Sequence, residues 1–262
     1  MALKPPGSAK VGGMQKLSSP PPARIEPGGP FPGVENAWGK GSPAPGLLAV
    51  GGRLEVDSLL RAYCAGIFPW FSEGQPILWW SPDPRMVLQL DAFRLHRSLR
   101  RVLRSFRDKD GCAVRVNSDF AGVIQACAES PRDGGNGTWI VPSMQQAYIA
   151  LHRAGYAHSV ETWIDGELAG GLYCVSIGGA VFGESMFSRR TNASKIALAA
   201  LVGMCRASGV GWIDCQQNTR HLASLGAAEM SRIDFLARSA LAMSRPAPRW
   251  HFETTHWQLV DL

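Results

Sequence analysis

Gly183-Glu184-Ser185-Met186-Phe187-Ser188 and, some thirty residues on, Ile213-Asp214-Cys215-Gln216 are the two segments on which the reading of this chain turns. Each sets one carboxylate in an otherwise apolar stretch. An ionised carboxylate is costly to bury unless it is paired or hydrogen-bonded, so two of them in core-like strands point to a site rather than to packing. Between them, Thr191-Asn192-Ala193-Ser194-Lys195 leads into the apolar run Ala197–Cys205 and reads as a capped helix. The pattern predicts strand, helix, strand, with the two acids at neighbouring strand ends. Gln216, two residues after Asp214, falls on the same strand face. A carboxylate beside an amide can hold a cation or orient an amine. A second reading has each acid capping a helix or pairing with Lys195 or an arginine.

The bulk properties narrow the field. A chain of 262 residues, 45% hydrophobic and 18% charged, is globular and long enough for one large domain or two smaller ones. A net charge of +6 favours an anionic partner such as nucleic acid. Cys64, Cys112, Cys127, Cys174, Cys205 and Cys215 form no CxxC pair, and most sit in apolar periodic runs. They read as reduced, packed cysteines rather than a disulfide or zinc framework. The histidines lack HExxH spacing, so no metal is expected. The first thirty residues contain no hydrophobic signal segment, and no apolar run reaches membrane-spanning length. A soluble cytoplasmic protein is the expectation.

Along the chain, residues 1–35 are rich in Pro, Gly, Ser and Lys and are expected to form a disordered extension. Residues 36–85 read as a small N-terminal domain, in which Asp57 caps a helix over Ser58–Ala65 and Gly66 ends it. Trp70, Trp79 and Trp80, with Trp38 upstream, crowd this region. They form either a compact aromatic core or, in part, a pocket wall held on irregular backbone by Pro69, Pro82 and Pro84. Residues 86–262 alternate. Strands are expected at Met86–Leu90, Ala113–Val116, Ala180–Phe187 and Gly211–Cys215, and a hairpin at His158–Ile164 and Leu168–Ile177 turns at Asp165-Gly166. Helices are expected at Phe93–Phe106, Asp119–Glu129, Pro142–Arg153, Ala193–Ser208, Asn218–Leu225 and Ile233–Met243.

The first of those helices carries Arg94, Arg97, Arg101 and Arg104 at steps of three and four, a shared face of one sign that suits phosphates. A solvated charged face is its plainer reading. Two other chemistries fit poorly. The hydrolase elbow G-x-S-x-G needs a second glycine where Phe187 stands. A coenzyme A cradle needs a glycine-containing loop at a helix start, and Arg189–Ser194 has none.

Eight blocks carry a resemblance: Tyr63–Trp70, Trp79–Arg85, Gly137–Ile140, His158–Glu161, Gly183–Ser188, Asn192–Lys195, Ile213–Gln216 and His221–Ala227. In register from about residue 36 to 245, the chain resembles leucyl/phenylalanyl-tRNA–protein transferases. The resemblance implies transfer of Leu, Phe and, less well, Met from aminoacyl-tRNA to proteins beginning with Arg or Lys, marking them for N-degron proteolysis. It implies an α+β fold, with a small N-terminal domain and a mixed β-sheet domain flanked by helices and similar to GCN5-related acetyltransferases. Neither coenzyme A nor any other cofactor or metal is implied, and a monomer is expected.

Carried over by position, Glu184, Asp214 and Gln216 fall on the catalytic region. Trp70, Trp139, Leu172 and Ile213 fall on the aminoacyl side-chain pocket, with Val181, Leu201 and Cys205 beside them. These last three stand where some relatives have aromatic residues. Arg94, Arg97, Arg101 and Arg104 are the expected tRNA contacts. Chemistry agrees with this reading: an aminoacyl ester is already activated, so positioning and a proton acceptor suffice. In one division of labour Asp214 orients Gln216 and the amine while Glu184 holds the acceptor's cationic side chain, and the reverse is equally allowed. Two rivals are a tRNA-dependent transferase acting on a cell-wall precursor and a non-catalytic tRNA-binding module.

Overall fold

The computed structural model describes residues 21–130 and 138–260, so the first twenty residues of the expected extension and Gly137 lie outside it. In chain order the elements are β1 (Ala23–Ile25), β2 (Leu47–Gly51), α1 (Val56–Cys64), β3 (Phe68–Pro69), β4 (Leu78–Trp80), β5 (Arg85–Gln89), α2 (Arg97–Arg107), β6 (Cys112–Val116) and α3 (Phe120–Glu129). The chain continues with α4 (Pro142–Arg153), β7 (Ala157–Ile164), β8 (Glu167–Ile177), β9 (Ala180–Ser188), α5 (Ala193–Ala207), β10 (Trp212–Gln216), α6 (Arg220–Ser224), β11 (Ala228–Met230) and α7 (Arg232–Met243). A small sheet has the order β1-β2-β4-β3 and a larger one the order β11-β5-β10-β9-β8-β7-β6. Among the described strands of the larger sheet only β9 and β10 pair in parallel, because α5 carries the chain back between them. This is the expected α+β class, a mixed sheet flanked by helices.

Strand alternation divides the core. Leu172 and Cys174 of β8 face α2, α5 and a 3-10 turn at Thr254–Val260. Tyr173 and Val175 face the opposite layer, made of α1, α3, α4, α7 and the small sheet. Helix α5 packs close because Gly170 lies beneath it, where an added Cβ would sit 2.5 Å from that of Ala193. The small sheet has no core of its own: Tyr63, Trp79 and Trp80 belong to the same buried cluster as α3 and α4.

Three expectations are corrected. Residues 21–35 are not all disordered, since Ala23–Ile25 pairs in parallel with Ala49–Gly51 and buries Ile25. The free edge of β2 supplies backbone partners that the local composition does not reveal. The arginine helix starts at Arg97 rather than Phe93: Leu90–Ala92 is a 3-10 turn, and the Arg94 amide donates to the Leu225 carbonyl at 2.8 Å. Arg94 therefore precedes the helix and leaves its face. Asp57 lies in the first turn of α1 rather than capping it, the N-cap position being Glu55.

Arg85 opens the larger sheet and crosses to β10. Its Nε donates to Asp214 Oδ1 at 2.9 Å and its Nη2 to Oδ2 at 2.7 Å, while Nη1 reaches the Gly66 carbonyl at 3.2 Å. The guanidinium lies 4.8 Å from the ring centre of Phe68 and 4.6 Å from that of Phe235. One side chain thus ties together the small sheet, β10 and α7, with side-chain exposures of 1% for Arg85 and 0% for Asp214. Removing one partner of such a pair strands a buried charge, at about 3–5 kcal/mol, whereas an apolar replacement of both is far milder. Arg85→Met is therefore expected to lower urea-unfolding stability by about that amount, and Arg85→Met with Asp214→Leu to recover much of it. Equal losses in the single and double variants would refute this account.

Candidate active site

Both segments that opened the sequence reading are irregular where it matters. In the β8–β9 ladder, Tyr173 pairs with Ser185 and Cys174 with Gly183, leaving Glu184 as the extra residue of a bulge. In the β5–β10 ladder a second irregularity falls between Asp214 and Gln216, and Gln216 takes φ 55°. Bulges re-aim side chains and break pairing. Strands β9 and β10 pair through Ile213 with Val181 and Asp214 with Phe182. Beyond those residues the ladder stops and a cavity of about 110 Å³ opens.

The cavity is apolar on most sides and polar at one end. Trp70, Trp139, Leu172, Leu201 and Ile213 line it. Leu88, Met186, Leu198 and Leu222 also line it and were not singled out from sequence, though Leu198 follows from Leu201 by the three-residue helical step. Val181 and Cys205 do not line it: both are fully buried in the layer behind it. The size is of the order of a benzene-binding cavity, roughly 150 Å³, which matches a leucyl or benzyl side chain. Trp70 is a pocket wall while Trp79 and Trp80 are core, so each reading of the aromatic cluster holds for part of it.

Glu184 and Gln216 form the polar end. The Tyr63 hydroxyl donates to Glu184 Oε1 at 2.7 Å. The Tyr148 hydroxyl lies 3.2 Å from Oε2 and 2.5 Å from the Tyr63 oxygen, so its single proton serves one of the two. Gln216 Nε2 donates to Glu184 Oε1 at 3.2 Å. Burial pushes the Glu184 carboxyl up to about 7, aided by the negative charge of Asp214 and opposed by the tyrosine hydrogen bonds and by Arg85. The carboxyl faces the hollow. The same burial, next to Glu184, holds both tyrosines in their protonated, donating form.

Glu161 shows that this behaviour belongs to the site and not to buried glutamates in general. Burial also acts on Glu161, but hydrogen bonds from Ser118, the Asp119 amide, Trp163 and Ser159 hold its carboxyl below the ordinary value. Glu161 is a satisfied anchor held below its ordinary value, whereas the Glu184 carboxyl is raised.

Asp214 is not part of the cavity wall. Arg85 occupies both its oxygens, and Oδ1 also accepts the Gln216 amide at 3.0 Å. That bond holds Gln216 in its left-handed conformation, a strained one for a residue with a side chain. Asp214 is thus tied to Gln216, and of the two acids only Glu184 lines the hollow. Neither pairs with Lys195, whose ammonium donates to Asn192 Oδ1 at 3.4 Å.

The start of α5 departs from the expected side-chain cap. Asn192 is left-handed with no cap bond, and the Ser188 hydroxyl accepts the Ser194 amide at 3.0 Å instead. The Ala193 and Lys195 amides bond to Arg190 and Asn192 carbonyls, so these three amides are not available to cradle a phosphate.

On α2, Leu99, Leu103 and Phe106 turn inward, leaving Arg97, Arg101 and Arg104 exposed. Among the described residues none of the three, nor the exposed Arg94, forms an ion pair. No group of His, Cys, Asp and Glu among the described residues could hold a metal, and no described helix is long and apolar enough to cross a membrane.

Comparison with known proteins agrees with this geometry. A model of the leucyl/phenylalanyl-tRNA protein transferase family matches residues 87–240, and one of that family's N-terminal domain matches residues 52–83. A leucyl/phenylalanyl-tRNA–protein transferase of Polaromonas sp. is 60% identical over 247 residues, covering 94% of this chain and 96% of that one. One of Albidiferax ferrireducens is 60% identical over 242 residues, covering 92% and 95%. Among solved structures, FemX matches 68% of this chain and 67% of its own at 13% identity, with a TM-score of 0.42, too loose a likeness to bear on function. Identity this high over nearly the whole length, through both domain models, places the chain in the leucyl/phenylalanyl-tRNA–protein transferase family.

Proposed function

We propose that the cavity receives the side chain of a leucyl or phenylalanyl ester on tRNA, and that Glu184 takes the proton from an incoming protein N-terminus. The reaction joins the α-amine of a protein beginning with Arg or Lys to the aminoacyl group, extending the acceptor by one residue and marking it for degradation. The supporting observation is one carboxylate, raised to about 7 and fixed by two tyrosines and Gln216, at the polar end of an apolar hollow.

The steps follow from the residues. An α-ammonium titrates near roughly 7.7–8.0, so a carboxylate close to 7 matches it well as proton acceptor. The freed amine attacks the ester carbonyl, forming the C–N bond. The nitrogen then gives up its second proton to solvent, the C–O bond to the tRNA ribose breaks, and the ribose oxygen takes the proton held by Glu184, leaving a neutral amide and a free 3′ end. Gln216, locked through Asp214 and Arg85, fixes the rotamer of Glu184. Most of the remaining acceleration is alignment of two bound reactants. Leu and Phe fit the hollow, and the longer, flexible Met side chain fits it less well. The exposed arginines of α2 contact tRNA phosphates, largely without regard to sequence.

Transfer from leucyl-tRNA to peptides differing only in their first residue tests the activity. Product with Arg or Lys first, and none with Ala first, is expected; a cell-wall precursor accepting in their place, or tRNA binding without product, would refute it.

Three further outcomes are expected. For Glu184 the folded pKa lies above the ordinary value of 4.5, so the fold favours the protonated form and stability declines as pH rises from about 4.5 through 7. Glu184→Gln removes that decline in pH-dependent unfolding. It also slows transfer by about 10²–10⁴-fold and abolishes the rate limb near pH 7. Leu201→Phe narrows the cavity, and the ratio of Phe to Leu transfer should fall by roughly 10–200-fold. Charge reversal at Arg97 and Arg101 should weaken tRNA binding and flatten its dependence on salt, by about 0.7–0.9 in slope for each phosphate no longer neutralised.

A further inference from the structure

Lys195 is the cation of this region that the chemistry above leaves without a role. It lies in the first turn of α5, three residues before the cavity residue Leu198 and on the same side of the helix, though it does not itself line the cavity. It is half-buried, and its ammonium makes the 3.4 Å hydrogen bond to Asn192 Oδ1. Among the described residues no carboxylate pairs with it. The placement is electrostatically adverse, since a cation at a helix N-terminus opposes the macrodipole. The nearby backbone amides are already bonded, so the ammonium itself is the group left to bind. The imidazole pKa of His221, next in the chain to the cavity residue Leu222, is lowered by burial and further by the Lys195 charge, which is close enough to be felt there.

Resting on the transferase reading, we propose that Lys195 is a positioning residue for the donor, holding the phosphate on the 5′ side of the tRNA's terminal nucleoside. In this arrangement the aminoacyl side chain lies among Leu198 and Leu201, the ester carbonyl beside Glu184, and the ribose with its 5′-phosphate passes the start of α5. An ammonium, compact and with three rotatable donors, suits a phosphodiester oxygen. It would favour an aminoacyl ester carried on a nucleotide over any simpler ester, and would set the carbonyl's distance from Glu184.

Calorimetric binding of two stable donor analogues tests this: 3′-deoxy-3′-(leucylamino)adenosine with and without a 5′-phosphate. The wild-type chain is expected to bind the phosphorylated analogue on the order of tenfold more tightly. Lys195→Ala should bind both with the affinity that the wild type shows for the phosphate-free one, and Lys195→Arg should regain part of the difference. An equal phosphate gain in wild type and Lys195→Ala, or no gain in the wild type, overturns the assignment. So does loss of the phosphate-free analogue in both variants, which marks a structural role. If the wild type binds neither analogue and makes no leucyl-peptide from leucyl-tRNA, the transferase reading falls and this assignment with it.

Discussion

Arg85 and Asp214 meet through two hydrogen bonds in a space that water does not reach, and the site is assembled from that contact. A bare buried carboxylate at this depth would be protonated or would disrupt the strand. With the guanidinium against it, flanked by the rings of Phe68 and Phe235, both its oxygens are paired and its position is fixed. The pair also fixes the position of the small sheet, since the same arginine binds the Gly66 carbonyl just ahead of β3. Trp70, a wall of the cavity, follows directly after that strand. The ion pair therefore aligns the apolar wall of the cavity with its polar end.

From Asp214 the constraint passes to Gln216, whose backbone is held left-handed by the aspartate, and from Gln216 to Glu184. This ordering explains why two acids in similar local sequence have different roles. Asp214 has no oxygen to offer a substrate. Glu184 sits on a bulge, aims into the hollow, and meets hydroxyls rather than cations. The enclosure that makes the hollow apolar also raises the Glu184 carboxyl to about 7.

The activity asks little else of the protein. An aminoacyl ester carries its own activation, so a cavity, a proton acceptor and grips on the nucleic acid are enough. The exposed arginines of α2 form a broad positive surface, and Lys195 in the first turn of α5 is a single half-buried cation.

By itself the sequence determined the periodic elements and the acids. Pro142–Arg153 and the hairpin at Asp165-Gly166 were legible because they rest on local rules, a proline at the helix start and two positive φ angles at the turn. Glu184 and Asp214 stood out as charges in apolar strands. The short strands β1, β3, β4 and β11 were not legible, because two or three residues hold no period and form only where another strand's edge is offered. Val181 and Cys205 were assigned to the cavity from family position, but only the sheet's pleat and the depth of α5 decide which apolar residues reach the hollow. The different surroundings of the two acids were likewise beyond the sequence: they depend on Arg85, 129 residues from Asp214, and on two bulges. Local patterns name the groups, but long-range packing sets the dielectric and the partners that give each its chemistry.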